Sequence, residues 1–233
     1  MTADSPRVLV VDDETQMVSI IAFALETQGF TTAAAGSAEA AWRLAAEEAF
    51  DLVVLDVMLP GASGIHLLER LRAHPPTATV PVILLTARGE ESDRLAGLLA
   101  GADDYVTKPF SPRELALRAQ AIVRRSRRAP DTEQIVNGAL VIDPAARTAS
   151  HDGTVLHLSD VEFRLLAALA RRPGQPVGVR ELLNEVWHTT ETAGGRDMIK
   201  TTVHRLRHRL GPAGGLIVTV RGVGYLMPAL DAD

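Results

Sequence analysis

The chain has 233 residues, 46% hydrophobic and 23% charged, which suits one large globular domain or two ordinary ones. It has no cysteine, so disulfide frameworks and thiolate metal sites are excluded. The net charge of −5 conceals a division: residues 1–123 hold 9 Lys/Arg against 17 Asp/Glu, and residues 124–233 hold 15 against 12. An acidic half joined to a basic half points to two domains with different partners. The N-terminal stretch lacks a basic segment followed by an apolar core, and no apolar run approaches the ~18 residues of a membrane span. A cytoplasmic protein with no membrane partner is the expectation.

In chain order, short apolar runs recur at near-regular spacing: VLVV (8–11), TTAAA (31–35), LVVL (52–55), VPVILL (80–85) and DYVT (104–107). Between them lie stretches of helical period, such as Met17, Val18, Ile20, Ile21, Ala24 and Leu25. Such alternation predicts βαβ units, a five-stranded parallel sheet and helices on both faces. The last helix of this half is marked by Ser111 as N-cap, Pro112 at its first position and Glu114 completing a capping box.

In open α/β sheets, chemistry sits beyond the carboxyl ends of the strands. Here those ends carry Asp12-Asp13, Asp56, Thr86 and Lys108-Pro109. Singly, each residue is ordinary: an Asp after a strand is commonly a turn or cap, and a Thr is a β-former. Together they place three carboxylates, a hydroxyl and an ammonium at one sheet edge. Clustered carboxylates repel, and a hard divalent cation relieves them. An oxygen-only donor set with few protein ligands suits Mg²⁺, which keeps waters and accepts phosphate oxygens. The chain has 22 Arg but only two Lys, at 108 and 200. Retention of Lys at 108 suggests that a compact ammonium is required there rather than a guanidinium fork.

These segments, VVDDE, LDVMLPGASG, LLTAR and GADDYVTKPFSPREL, resemble the receiver domain of two-component response regulators, with flavodoxin-like α/β architecture and five helices. The resemblance implies that Asp56 accepts a phosphoryl group from a sensor histidine kinase. It implies Mg²⁺ ligation by Asp13, Asp56 and the carbonyl of Met58, with Asp12 assisting through water. Thr86 and Lys108 would bind phosphoryl oxygens, Tyr105 would act as a switch residue, and the Lys108-Pro109 bond would be cis. Ser63-Gly64 replaces the Asp-Gly of many relatives. A hydrolase with a strand-end Asp nucleophile is a competing reading, but it generally needs an acid/base carboxylate two residues later, where this chain has Met58. A regulator working by protein contacts without phosphorylation is a second alternative, disfavoured because nothing would then require the full set.

The charge division falls at RRSRRAPDTEQ, and residues 124–133 are read as a linker between a domain at 1–123 and another at 134–233. In the second domain, LSDVEFRLLAALARRPG opens with a capping box, Ser159 to Glu162, and a staple of Leu158 with Phe163. VRELLNEVW predicts a short second helix. RDMIKTTVHRLRHRLG predicts a third, with Ile199, Val203, Leu206 and Leu210 as its apolar stripe. Its other face would present Lys200, Thr201, His204, Arg205 and His208. By itself this is an amphipathic surface helix with a solvated basic face. The two β-runs of LIVTVRGVGYLM that follow, around a Gly-rich turn, make it a winged helix-turn-helix.

This half resembles the DNA-binding domain of OmpR/PhoB-type regulators, with a small four-stranded sheet between 135 and 156. The resemblance places His204, Arg205 and Arg207 at recognition-helix contacts, Thr219 and Arg221 at wing contacts and Trp187 near a phosphate. Lys200 and Thr201 stand where relatives commonly read Asp-Val, which adds positive charge. Arg205 is expected to read a base, and Lys200 to touch phosphate. Family receivers pair through their fourth and fifth helices once phosphorylated. By position Arg94 would face Glu114, and Asp103 or Asp104 would face Arg118 or Arg125. A further Glu–Lys pair of relatives is replaced by Leu99 and Gln120. The expectation is a transcription regulator rather than an enzyme: a homodimer on phosphorylation, binding direct-repeat or tandem half-sites in duplex DNA, with RNA polymerase a possible partner.

Overall fold

The computed structural model describes residues 5–87, 100–127, 133–187 and 195–230. The chain divides into two compact units, residues 1–128 and 129–233.

The first unit is built on strands β1 (Arg7–Val11), β2 (Thr31–Ala35), β3 (Leu52–Asp56), β4 (Val82–Ala87) and β5 (Asp104–Lys108), paired parallel in the order β2-β1-β3-β4-β5. All five residues of β3 are buried, as its central place between β1 and β4 requires. Successive side chains alternate faces. Leu9, Val11, Val53, Leu55 and Leu84 therefore join one core, while Val8, Val10, Leu52, Val54, Ile83 and Leu85 join the other. Helices α1 (Thr15–Glu26) and α4 (Pro112–Arg127) contribute Ile21, Leu25, Leu115 and Ala119 to the second core; α2 (Ala38–Glu47) and α3 (Gly64–Ala73) contribute Ala41, Leu67, Leu68 and Leu71 to the first. The helix expected between β4 and β5 falls on residues 88–99, outside the described residues.

Helix starts follow local chemistry. Ser37 caps α2, accepting from the Ala40 amide at 3.2 Å, and Ser63 caps α3, accepting from the His66 amide at 3.4 Å. Serine at 63 thus fulfils the capping task that an aspartate would. At α4, Ser111 accepts from the Glu114 amide at 3.4 Å, but the Glu114 carboxylate accepts from Arg118 one turn on. That helix continues to Arg127, four residues into the stretch read as linker.

The second unit opens with an antiparallel sheet of β6 (Ile135–Asn137), β7 (Leu140–Asp143), β8 (Thr148–His151) and β9 (Thr154–Val155). Helices α5 (Asp160–Ala170), α6 (Val179–Leu182) running into a π-helical turn to Trp187, and α7 (Gly195–Arg209) follow, and a 3-10 turn spans Gly211–Leu216. A three-stranded sheet, β10 (Val177–Gly178), β12 (Gly224–Leu226) and β11 (Val218–Val220), completes the wing. Gly224 has no alternative in this sheet, because a Cβ there would lie 2.0 Å from the Val177 carbonyl oxygen. The stripe expected on α7 is buried throughout: Ile199, Val203, Leu206 and Leu210 are at most 4% exposed. Asn137 fastens the chain's last described residues to β6, donating to the Pro228 carbonyl and accepting from the Leu230 amide.

Candidate functional site

The strand order reverses direction between β1 and β3, and the crevice at such a point is where open α/β sheets bind ligands. Asp12 and Asp13 follow β1, and Asp56 ends β3. One carboxylate oxygen from each of the three comes within 4.8 Å of the others. Asp12 and Asp56 are buried and Asp13 is exposed, so the cluster opens to solvent on one side. From the end of β5, the Lys108 ammonium reaches both buried acids, donating to Asp12 Oδ2 at 2.8 Å and Asp56 Oδ2 at 2.9 Å. A single point charge with several donors can make both bonds; this is the demand that the rare lysine answers.

The electrostatics are unbalanced. Burial, with the Asp12 charge adding to it, lifts the Asp56 carboxyl above its ordinary 3.8 despite the opposing pull of Lys108 and the Met58 amide. Burial alone would lower Lys108, yet its hydrogen bonds to Asp12 and Asp56 leave it above its ordinary 10.5. Three acids and one ammonium leave a net negative pocket with oxygen donors only, which fits a small hard cation. Thr86, 1% exposed, follows the residue of β4 paired with Asp56, and Tyr105 is half-buried on β5.

The loop after Asp56 is held close. The Met58 amide donates to Asp56 Oδ1 at 3.3 Å, and the Gly64 amide to the Val57 carbonyl at 3.0 Å. A Cβ on Gly64 would stand 2.0 Å from the Asp56 carbonyl oxygen, so only glycine lets α3 start there. Met58 lies out in solvent, 59% exposed. The Lys108-Pro109 bond is cis.

The expected dimer residues divide. Asp103 is 2% exposed and cannot meet another chain: it binds the Arg72 guanidinium at 2.7 Å and accepts the Val82 amide at 2.8 Å. Asp104 and Glu114 both contact Arg118 of the same chain, at 3.3 and 2.9 Å. Arg94 and the Arg125 side chain lie outside the described residues. Arg72 escaped the sequence reading, although its place four residues after Leu68 on the buried side of α3 was the available signal. Its fork also donates to the carbonyls of Gly101, Ala78 and Val80.

On α7 the structure corrects two expectations. Thr201 is buried at 4%, packed inward by its place beside the apolar stripe. Arg205 is also turned inward: its side chain is 11% exposed and its Nε lies 3.1 Å from Glu162 Oε1. The other oxygen of Glu162 accepts the Ser159 amide in the capping box of α5. One carboxylate thus both starts α5 and anchors α7. Arg207 reaches the wing, donating to the Ile217 carbonyl and to Thr219 Oγ1. Lys200, His204 and His208 are exposed, as expected, and so is Arg196, which the sequence reading left out. Arg221 is exposed at the wing turn, and Trp187 is buried at 9%.

Residues 8–120 match the profile of the response regulator receiver domain, and residues 153–227 that of the C-terminal domain of transcriptional regulatory proteins. The chain therefore belongs to the OmpR/PhoB-type response regulators, which join a receiver to a winged-helix DNA-binding domain. It is 39% identical over 221 residues to the phosphate regulon transcriptional regulatory protein PhoB of Escherichia coli, covering 94% of this chain and 96% of that protein. It is 40% identical over 223 residues to the transcriptional regulatory protein AfsQ1 of Streptomyces coelicolor, covering 94% and 97%. Among solved structures, the response regulator DrrB, an OmpR/PhoB homologue from Thermotoga maritima, is 32% identical with a TM-score of 0.50, covering 97% of this chain and all of that one. A RitR mutant has a TM-score of 0.76 and 24% identity, covering 96% and 99%, a likeness of fold alone.

Proposed function

We propose that this regulator is switched by phosphorylation of Asp56. The observation that carries the proposal is the Lys108 ammonium spanning Asp12 and Asp56 beside Asp13. A carboxylate oxygen of Asp56 attacks phosphorus, the new O–P bond forms as the P–N bond of a kinase phosphohistidine breaks, and the electron pair returns to the imidazole. Lys108 then has a phosphoryl oxygen to bind in addition to its carboxylates, and the Thr86 hydroxyl binds another. Asp13, Asp56 and the Met58 carbonyl would hold Mg²⁺, with Asp12 acting through water; the ion supplies charge neutralisation to the incoming phosphoryl group. Hydrolysis of the acyl phosphate by water resets the site, so the receiver takes part in its own phosphorylation and dephosphorylation. Tyr105 changes rotamer as the switch operates.

Phosphorylation favours a homodimer, which binds direct-repeat or tandem half-sites in duplex DNA through α7 and the wing, and RNA polymerase is a further partner. Among the described residues no helix is long and apolar enough to cross a membrane, in keeping with a cytoplasmic site of action. Incubation with a small-molecule phosphodonor and Mg²⁺, followed by intact-mass measurement, tests the switch. Gain of one phosphoryl group by wild type and none by Asp56→Asn is the expected result; equal gain by both removes Asp56 from the role.

A further inference from the structure

Resting on the DNA-binding reading, we propose that Lys200 and His204 read bases for this protein, and that Arg205 is a positioning residue that holds α7 against α5. An arginine on the recognition helix is the obvious candidate for reading guanine, since its fork matches the guanine edge. Here the fork is committed elsewhere. The Arg205 side chain is 11% exposed and its partner Glu162 is 4% exposed. Moving Arg205 to a base would strand a buried carboxylate whose other oxygen holds the start of α5. Arg207 is committed too, to the Ile217 carbonyl and Thr219 of the wing.

Of the outward polar groups on α7, which also include Asp197 and Arg209, four form a row with a spacing of four: Arg196, Lys200, His204 and His208, all exposed. Lys200 and His204 occupy the middle of the row. Four residues rise about 6 Å along the helix, so the pair addresses positions roughly two base steps apart. Arg196 and His208, at the ends, reach the flanking phosphates. The chemistry of the middle pair sets the edge each accepts. An ammonium only donates, so Lys200 requires the two acceptors that guanine N7 and O6 provide. An imidazole N–H donates, so His204 fits the N7 acceptor of a purine. The bound site therefore carries a guanine opposite Lys200 and a purine opposite His204. Lys200 is one of only two lysines in the chain, and the other serves the acidic site.

The test uses the full chain to select from a pool of randomised DNA duplexes, followed by binding to the selected duplex and to a scrambled one. Lys200→Ala and His204→Ala should each erase preference at one base position. Each should weaken the selected duplex by roughly tenfold or more while the scrambled duplex changes much less. Arg205→Lys should retain every base preference. Arg205→Ala should lower the melting temperature of the winged half, and any protein that folds should select the same bases. Loss of preference at one position in Arg205→Lys, with an unchanged melting temperature, would overturn the assignment. So would an unaltered preference in Lys200→Ala and His204→Ala. A wild-type chain that enriches no duplex would instead sink the DNA-binding reading beneath it.

Discussion

As the proposed phosphoacceptor, Asp56 would have to be an anion in a place that disfavours anions. Its carboxyl is raised above the ordinary 3.8 by burial and by Asp12, even with Lys108 pulling the other way. Below that ordinary value the folded and unfolded chains both hold the proton. As pH rises past it the unfolded chain releases first, so the metal-free fold is progressively disfavoured until the folded carboxyl has ionised as well. Asp56→Asn removes this dependence. Without divalent ion, the variant should melt above wild type at about pH 7 and converge with it towards about pH 4. Thermal scans across that range check both the sign and the window. Added Mg²⁺ should raise the wild-type melting temperature, by on the order of 1 kcal/mol of stabilisation at a few Kd, and Asp13→Ala should abolish the rise. Asp103 belongs to the same scale but to another task. Its ion pair with Arg72 is almost wholly buried, so Asp103→Ala leaves an uncompensated guanidinium and should cost about 3–5 kcal/mol in a denaturant titration.

At the scale of elements, the most legible features were those whose signal is local. Strand runs, serine caps and the apolar stripe of α7 depend on neighbours within a turn or two, and the structure has them where the pattern put them. The strand-end residues of the acidic site were legible for a related reason. Parallel order delivers every strand's carboxyl end to one edge, so a list of ends is already a list of neighbours. The outward-facing arginine was misread because helical period gives a residue's angle but not its partner. Arg205 lies at the margin of the stripe, and only the arrival of Glu162 from another helix decides that it turns inward. Asp103 was misread similarly, since Arg72 comes from α3, 31 residues away. The wing gives a prediction at this scale. Arg221 is exposed on the turn of a hairpin and suits the DNA backbone or minor groove. Arg221→Ala should then weaken binding to selected and scrambled duplexes alike and reduce the salt slope by about one unit.

For the whole molecule, the proposed homodimer turns on the surface of the acidic unit. Asp104, Glu114 and Arg118 already satisfy one another within one chain. Exposed pairs of this kind are worth only ~0–1 kcal/mol each, so exchanging them for pairs between chains changes little either way. Dimerisation on phosphorylation is accordingly expected to be modest in affinity and little sensitive to salt. Sedimentation of the phosphodonor-treated chain at two salt concentrations should show a dimer with little change between them. A monomer at both would remove the symmetric pairing.

The lysine that bridges the acids also sets a timetable. Asp12 and Lys108 are separated by 96 residues, and the strand that carries the lysine is the last of its sheet. A chain emerging from the ribosome at about 5–20 residues per second therefore displays its acids for several seconds before the ammonium that joins them exists. During that interval the Lys108 bridge between the ends of β1 and β3 is missing. The proposed phosphoacceptor chemistry would become available only with β5, after the rest of the sheet has been synthesised. A ribosome-bound fragment ending at β4 would carry every acid of the site and still lack the means to use them.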